Sequence, residues 1–209
     1  MKKIPAAGLM IGLLFFPVKS LSQGIMSGQT VANFYVGGGS ALNKSGMEVG
    51  GQDLSWGNFG GDAGFSYLYF PNPYLALGAD IHFGAFQGSE SFDEVPGWWY
   101  WHTLETDFEL YTMNLMGVGR LTVNPGSRAR FYIPFGAGIT LSEGSMTYKW
   151  DDYEIYRSEN YDTSFSWYAG MGLEFEAENN LVWGIEARYN AFEHSYEDND
   201  VFCWRQGVK

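Results

Sequence analysis

Apolar and polar residues alternate with a period of two along much of this chain, most sharply from Ile133 to Leu141. Ile133, Phe135, Ala137, Ile139 and Leu141 share one face, and Tyr132, Pro134, Gly136, Gly138 and Thr140 share the other. Successive side chains of a β-strand point to opposite faces, so this period predicts a strand. One face is continuously apolar and the other is small or polar. A water-soluble sheet packs its apolar face inward. A membrane barrel turns that face to lipid and lines a narrow interior with small and polar residues.

The same pattern predicts further strands on both sides. Val31 to Ser40 sets Ala32, Phe34 and Val36 against Asn33, Tyr35 and Gly37. From about Asn58 to Phe70, Phe59, Ala63, Phe65, Tyr67 and Tyr69 oppose Asp62, Gly64 and Ser66. Tyr74 to Phe86 alternates most cleanly, with Leu75, Leu77, Ala79, Ile81 and Phe83 against Gly78, Asp80, His82 and Gly84. Glu105 to Thr122 follows, with Met116 and Val118 interrupting its polar face. Arg130 to Leu141 is the fifth strand, Ser164 to Glu176 the sixth and Leu181 to Asn190 the seventh. Val201 to Lys209 is the last candidate, which makes eight.

The connections alternate. Pro71-Asn72-Pro73, Asn124-Pro125-Gly126 and Glu178-Asn179-Asn180 are tight turns, because proline fixes φ and asparagine suits turn positions. Ala41 to Gly57, Gln87 to Leu104, Ser142 to Thr163 and Glu193 to Asp200 read as long loops. Short turns on one side and longer loops on the other are the habit of outer-membrane barrels. Closure follows from physics, since in lipid every backbone N–H and C=O needs an internal partner.

The N-terminus changes the picture of compartment. Lys2 and Lys3 precede an apolar run from Ala6 to Phe16, and Ser20-Leu21-Ser22 is a small-x-small cleavage site. The run is too short for a spanning helix, which needs about 20 residues. Residues 1–22 are therefore expected to be a signal peptide and residues 23–209 one barrel domain. The chain has 24 acidic and 12 basic residues, a net charge of −12, and losing Lys2, Lys3 and Lys19 makes it −15. A surface this acidic argues against nucleic acid as a partner. The single cysteine, Cys203, offers neither an internal disulfide nor a metal-ligand spacing.

Tyr132-Ile-Pro-Phe-Gly-Ala-Gly138, Tyr168-Ala-Gly-Met-Gly-Leu-Glu174 and Gly184-Ile-Glu-Ala-Arg-Tyr189 resemble the small eight-stranded outer-membrane β-barrel proteins described as porin-like. Leu21-Ser22-Gln23 resembles the leader ends of exported proteins of the Bacteroidetes type. The resemblance spans nearly the whole mature chain and implies a Gram-negative outer membrane, a monomer, contact with outer-membrane lipid and delivery by the barrel assembly machinery. Such barrels end on a full strand with a terminal aromatic, whereas this chain ends Arg205-Gln-Gly-Val-Lys209. The family ranges from structural barrels to adhesins and small enzymes, so activity is not inherited from the fold.

Candidate chemistry is sparse. Asp62, Asp80, His82, Arg120, Glu174, Glu186 and Arg188 fall on the inward face. An eight-stranded barrel is just wide enough for side chains to fill. Acids paired with Arg120 and Arg188 as a buried network suit it better than an ion path, since buried charges must be paired. A barrel esterase of the lipid A deacylase type needs serine, histidine and an acid. His194-Ser195 beside Glu193 and Glu197 supplies the types, but neighbours on a strand face opposite ways. Three acidic clusters, at Glu90, Asp93 and Glu94, at Asp151, Asp152 and Glu154, and at Glu197, Asp198 and Asp200, lack the spacing of an EF-hand. Trp98, Trp99, Tyr100 and Trp101 offer a loop surface for an extracellular ligand or protein, or an interfacial girdle. The expectation is an all-β, eight-stranded antiparallel up-and-down transmembrane barrel with a structural or interaction role and no cofactor or metal. A narrow porin-like channel, a lipid-modifying enzyme and a soluble lipocalin-like binder are the alternatives.

Overall fold

The computed structural model describes residues 2–17, 25–41, 44–49, 52–55, 59–96, 101–150, 153–176 and 181–196. Its strands are β1 (Lys2–Pro17), β2 (Gln29–Ala41), β3 (Lys44–Val49), β4 (Gln52–Ser55), β5 (Phe59–Asn72), β6 (Leu75–Pro96), β7 (Trp101–Thr122), β8 (Ala129–Trp150), β9 (Tyr153–Glu176) and β10 (Leu181–Tyr196). From β2 onward the long strands pair in sequence order, each antiparallel to the next, and β1 joins β10 to β2. The result is a closed eight-stranded barrel, with β3 and β4 as a separate hairpin.

Strand parity explains the place of β1. The strands β2, β5, β6, β7, β8, β9 and β10 are seven, so the first and last run the same way. Antiparallel closure requires one more strand between them. The expected last strand, Val201 to Lys209, lies outside the described residues. The structure puts Lys2–Pro17 in the eighth position, paired with β10 from Lys2↔Tyr196 to Pro17↔Leu181.

The alternation maps directly onto the two faces. Phe34, Leu77, Phe83, Leu115, Ile139, Trp167, Leu173 and Ile185 are exposed on the outside, while their polar neighbours along each strand are buried. Among the described residues, large hydrophobics dominate the outside and eighteen polar or charged residues are buried, an inversion that only a lipid exterior stabilises. Met116 and Val118, the exceptions on the inward face of β7, pack with Leu68, Phe70, Ala76 and Ile25 into a small apolar plug. Ile25 reaches it because the chain crosses the turn end here, with Gly28 N–H donating to Phe70 O at 2.7 Å. Gly28 takes φ 82°, a conformation suited to glycine.

The turns between β5 and β6 and between β7 and β8 are held by asparagine. Asn72 Oδ1 accepts from the N–H groups of Tyr74 and Leu75 at 2.9 and 3.0 Å. Asn124 Oδ1 accepts from Phe131 N–H at 2.8 Å, and its Nδ2 donates to Ala129 O at 2.7 Å. The turn expected at residues 178–180 lies outside the described residues.

Three expected loops are corrected. Ala41 to Gly57 contains the β3–β4 hairpin. Gln87 to Leu104 and Ser142 to Thr163 are largely strand, because β6, β7, β8 and β9 run to 22, 22, 22 and 24 residues. Their neighbours β2, β5 and β10 have 13, 14 and 16. Where the outward face of the sheet turns polar there is no continuous apolar side to mark the period, so backbone pairing continues after the sequence alternation fades. β10 likewise extends to Tyr196, into the expected acidic loop.

Candidate functional site

The described chemistry divides between the barrel interior and the sheet that rises above it. In the interior, glycines seat tyrosines. Gly64 lies across from Tyr35, Gly136 from Tyr168 and Gly172 from Tyr132. A Cβ on any of the three would come within 2.2 to 2.5 Å of the facing ring. The glycines thus let three aromatic rings lie flat across the sheet and fill the lumen.

The rings support two ionic groups. Towards the outer end, the Tyr35 hydroxyl lies 2.9 Å from both oxygens of Asp80, and His82 Nδ1 is 2.6 Å from Asp80 Oδ1. Arg188 donates to the Tyr35 hydroxyl at 3.1 Å and pairs with Glu186 through Nε. Its guanidinium sits 4.4 Å from the Tyr35 ring and 4.7 Å from the Tyr168 ring. Towards the turn end, Glu174 Oε1 receives Arg120 Nη2 and Arg130 Nε, each at 2.6 Å. Arg130 also holds Glu176 at 2.9 Å, and Arg120 stacks 4.0 Å from the Tyr132 ring. Between the two groups a cavity of about 20 Å³ touches Asn33, Ser66, Arg120, Tyr132, Glu186 and Arg188. That is room for about one water molecule.

Asp62, Asp80, His82, Arg120, Glu174, Glu186 and Arg188 are all buried on the inner face. The structure joins Asp80, His82, Glu186 and Arg188 in one group and Arg120 and Glu174 in the other. Asp62 sits nearer the mouth, in register with Gly37 and Gly84. Sequence reasoning missed Arg130, Tyr35, Tyr132 and Tyr168 as network members. Arg130 shares the parity of Tyr132, which was the available signal, but it precedes the regular alternation. The tyrosines read as generic barrel aromatics because their role depends on the glycine across the sheet.

Above the barrel, β6 loses its β5 partner after Gln87, which pairs with Phe59. β9 meets β10 only from Ser166 onward. Among the described residues, Gly88–Pro96 and Tyr153–Phe165 thus lie past the ladders with β5 and β10, as the outer strands of a four-stranded sheet formed by β6, β7, β8 and β9. Nine residues at about 3.4 Å each carry the β6 edge roughly 30 Å along the strand. Residues 88–111 and 142–163 hold twelve of the chain's 24 acidic residues and only Lys149 and Arg157 as bases, a net charge of −10. Lys149 pairs with Asp107 at 2.5 Å and Arg157 with Glu159 at 3.0 Å.

Trp98, Trp99 and Tyr100 lie outside the described residues, and Trp101 opens β7. His194 and Ser195 are consecutive in β10, opposite Ile4 and Lys3. Glu90, Asp93 and Glu94 belong to β6 and Glu154 to β9, whereas Asp151, Asp152, Glu197, Asp198 and Asp200 lie outside the described residues. Among the described residues, no group of three or more His, Cys, Asp or Glu is placed to hold a metal ion.

Comparisons with known proteins bear on the fold. Residues 10–202 match the family model described as Outer membrane protein beta-barrel domain. No curated protein matches the chain. Among solved structures, the chain is similar to Ail, the attachment invasion locus protein of Yersinia pestis, at 10% identity and a TM-score of 0.35. A second structure of Ail, in complex with the heparin analogue sucrose octasulfate, gives 12% identity and a TM-score of 0.32. Each likeness covers 93% of this chain and 100% of the other.

Proposed function

The chain belongs to the outer membrane protein beta-barrel domain family, and from that premise we propose that it is a plugged outer-membrane anchor presenting an acidic recognition sheet to the cell exterior. The observation that carries this reading is the difference in strand length. Four adjacent strands outrun the barrel, and among the described residues β6 and β9 extend past their ladders with β5 and β10. An outer strand of such a sheet is the place where another chain can add a strand. The net charge of −10 on these hairpins selects a basic partner and speeds its encounter.

The alternatives fit less well. A conduit needs an open lumen, and this one is occupied by rings and ion pairs. An esterase needs its base and nucleophile on one face, whereas His194 and Ser195 are consecutive in β10 and so alternate between faces. A soluble lipocalin-like binder would leave Phe165, Trp167 and Leu173 in water.

A shortened variant tests the reading. Residues 90–106 and 146–158 are each replaced by Asn-Gly, closing the hairpins at Ser89↔Asp107 and Ser145↔Glu159. The variant is expected to keep the heat-modifiable gel mobility of a folded barrel and to lose binding of extended basic peptides to proteoliposomes. Full retention of that binding overturns the recognition role. Discrete conductance steps in planar bilayers, from either form, overturn the plugged anchor.

The leader belongs to the same proposal. Cleavage near Gln23 gives the mature domain, and residues 201–209 then take the seam that Lys2–Pro17 fills between β2 and β10. The intact mass of the outer-membrane form decides it. A mass that includes residues 1–22 makes β1 the permanent eighth strand instead.

A further inference from the structure

The outer face of the barrel carries a groove of about 630 Å³ where β6, β7, β8 and β9 leave the apolar band. Phe83, Met113 and Leu141 form its floor and are neighbours in one cross-strand row. Tyr111, Glu143 and Tyr161 form its rim and are the next row outward. The Tyr161 hydroxyl donates to Glu143 Oε1 at 2.9 Å, which holds the carboxylate at the rim. One row further, Gln87, Glu109, Ser145 and Glu159 face water. The groove thus straddles the level at which the exterior changes from apolar to charged.

An apolar floor below a polar rim fits a molecule with a tail and a head. The charged residue that lines the groove from the outward face, Glu143, is acidic, whereas Asp162 shares the inward parity of Ser142. Glu143 complements a cationic head and repels a purely anionic one. We infer that this groove binds a single membrane lipid, its acyl chain along Phe83, Met113 and Leu141 and a primary-amine headgroup on Glu143. The inference rests on the outer-membrane location and is independent of the recognition role of the sheet.

Native mass spectrometry of the full-length protein in detergent tests it, with phosphatidylethanolamine and phosphatidylglycerol of matched acyl chains in equal amounts. The wild type is expected to retain the amine lipid over the glycerol lipid by about tenfold, the scale of one hydrogen bond to a charged group. Glu143→Gln should remove that preference. Met113→Trp, which fills the floor, should reduce retention of both lipids. Glu159→Gln, one row above the groove, should leave the ratio unchanged. Equal retention of the two lipids by the wild type, a preference for the glycerol lipid, or a ratio unmoved by both Glu143→Gln and Met113→Trp overturns the inference.

Discussion

Replacing Glu174 with alanine is the sharpest probe of the barrel interior. Its Oε1 receives Arg120 and Arg130, each at 2.6 Å, and all three side chains are at most 5% exposed. Removing one partner of a buried ion pair costs about 3–5 kcal/mol, because the remaining charge stays buried. The two arginines do not lose equally. Arg130 keeps Glu176 at 2.9 Å. Arg120 keeps a hydrogen bond to Thr122 at 3.3 Å and the Tyr132 ring at 4.0 Å. A cation–π contact of this kind returns about 0.5–2 kcal/mol, so the net destabilisation expected is roughly 1–4.5 kcal/mol. Urea unfolding in lipid vesicles, read by heat-modifiable mobility, measures it as a shift in midpoint at constant slope. Adding Arg120→Met to Glu174→Ala should recover more than half of the loss, because the stranded charge is gone. A change below about 0.5 kcal/mol for Glu174→Ala, the scale of an exposed pair, would refute the account of a dry, paired interior.

Other outcomes follow from the same geometry. Gly172→Ala places a Cβ 2.2 Å from the Tyr132 ring and should cost about 1–3 kcal/mol by overpacking in the same unfolding assay. Tyr132→Leu should relieve most of that cost, and independent, additive effects would contradict the seating of ring on glycine. Tyr35→Phe removes the hydroxyl between Asp80 and Arg188 and should destabilise the barrel by about 1–3 kcal/mol without opening a conductance. Paired cysteines at Ser145 and Glu159, which face each other across β8 and β9, should cross-link under mild oxidation on intact cells. A hairpin that stays reduced would deny the protruding sheet.

The barrel was legible because lipid imposes a period. Ile133 to Leu141 and Phe165 to Phe175 show it residue by residue, and the structure gives both stretches the expected faces. Legibility fails in two places, for different reasons. Beyond Gln87 and Ser142 the outward face turns polar, at Glu109, Ser145 and Glu159, so the period loses its apolar side and the strands read as loops, although Thr106, Phe108 and Met146 stay buried on the inner face. Inside, the charged residues announced themselves, but their pairing did not. Arg130 joins Glu174 across 44 positions, and Arg188 meets Tyr35 across 153. Such partners depend on register, which one strand's own pattern does not determine. The glycines show the same limit. Gly64, Gly136 and Gly172 look like lumen-lining small residues until the ring opposite each is known.

The uneven strand lengths also bear on how the protein reaches its place. In the proposed orientation the compact Pro71-to-Pro73 and Asn124-to-Gly126 turns remain on the side from which the chain arrives. The opposite ends would then travel through the membrane, and they carry twelve carboxylates in residues 88–111 and 142–163. Moving one such group into hydrocarbon costs several kcal/mol even after relaxation. The hairpins therefore have to be threaded across shielded from the acyl chains, in a hydrated gap that bare lipid does not supply. On the proposed orientation, shortening these hairpins is expected to speed maturation.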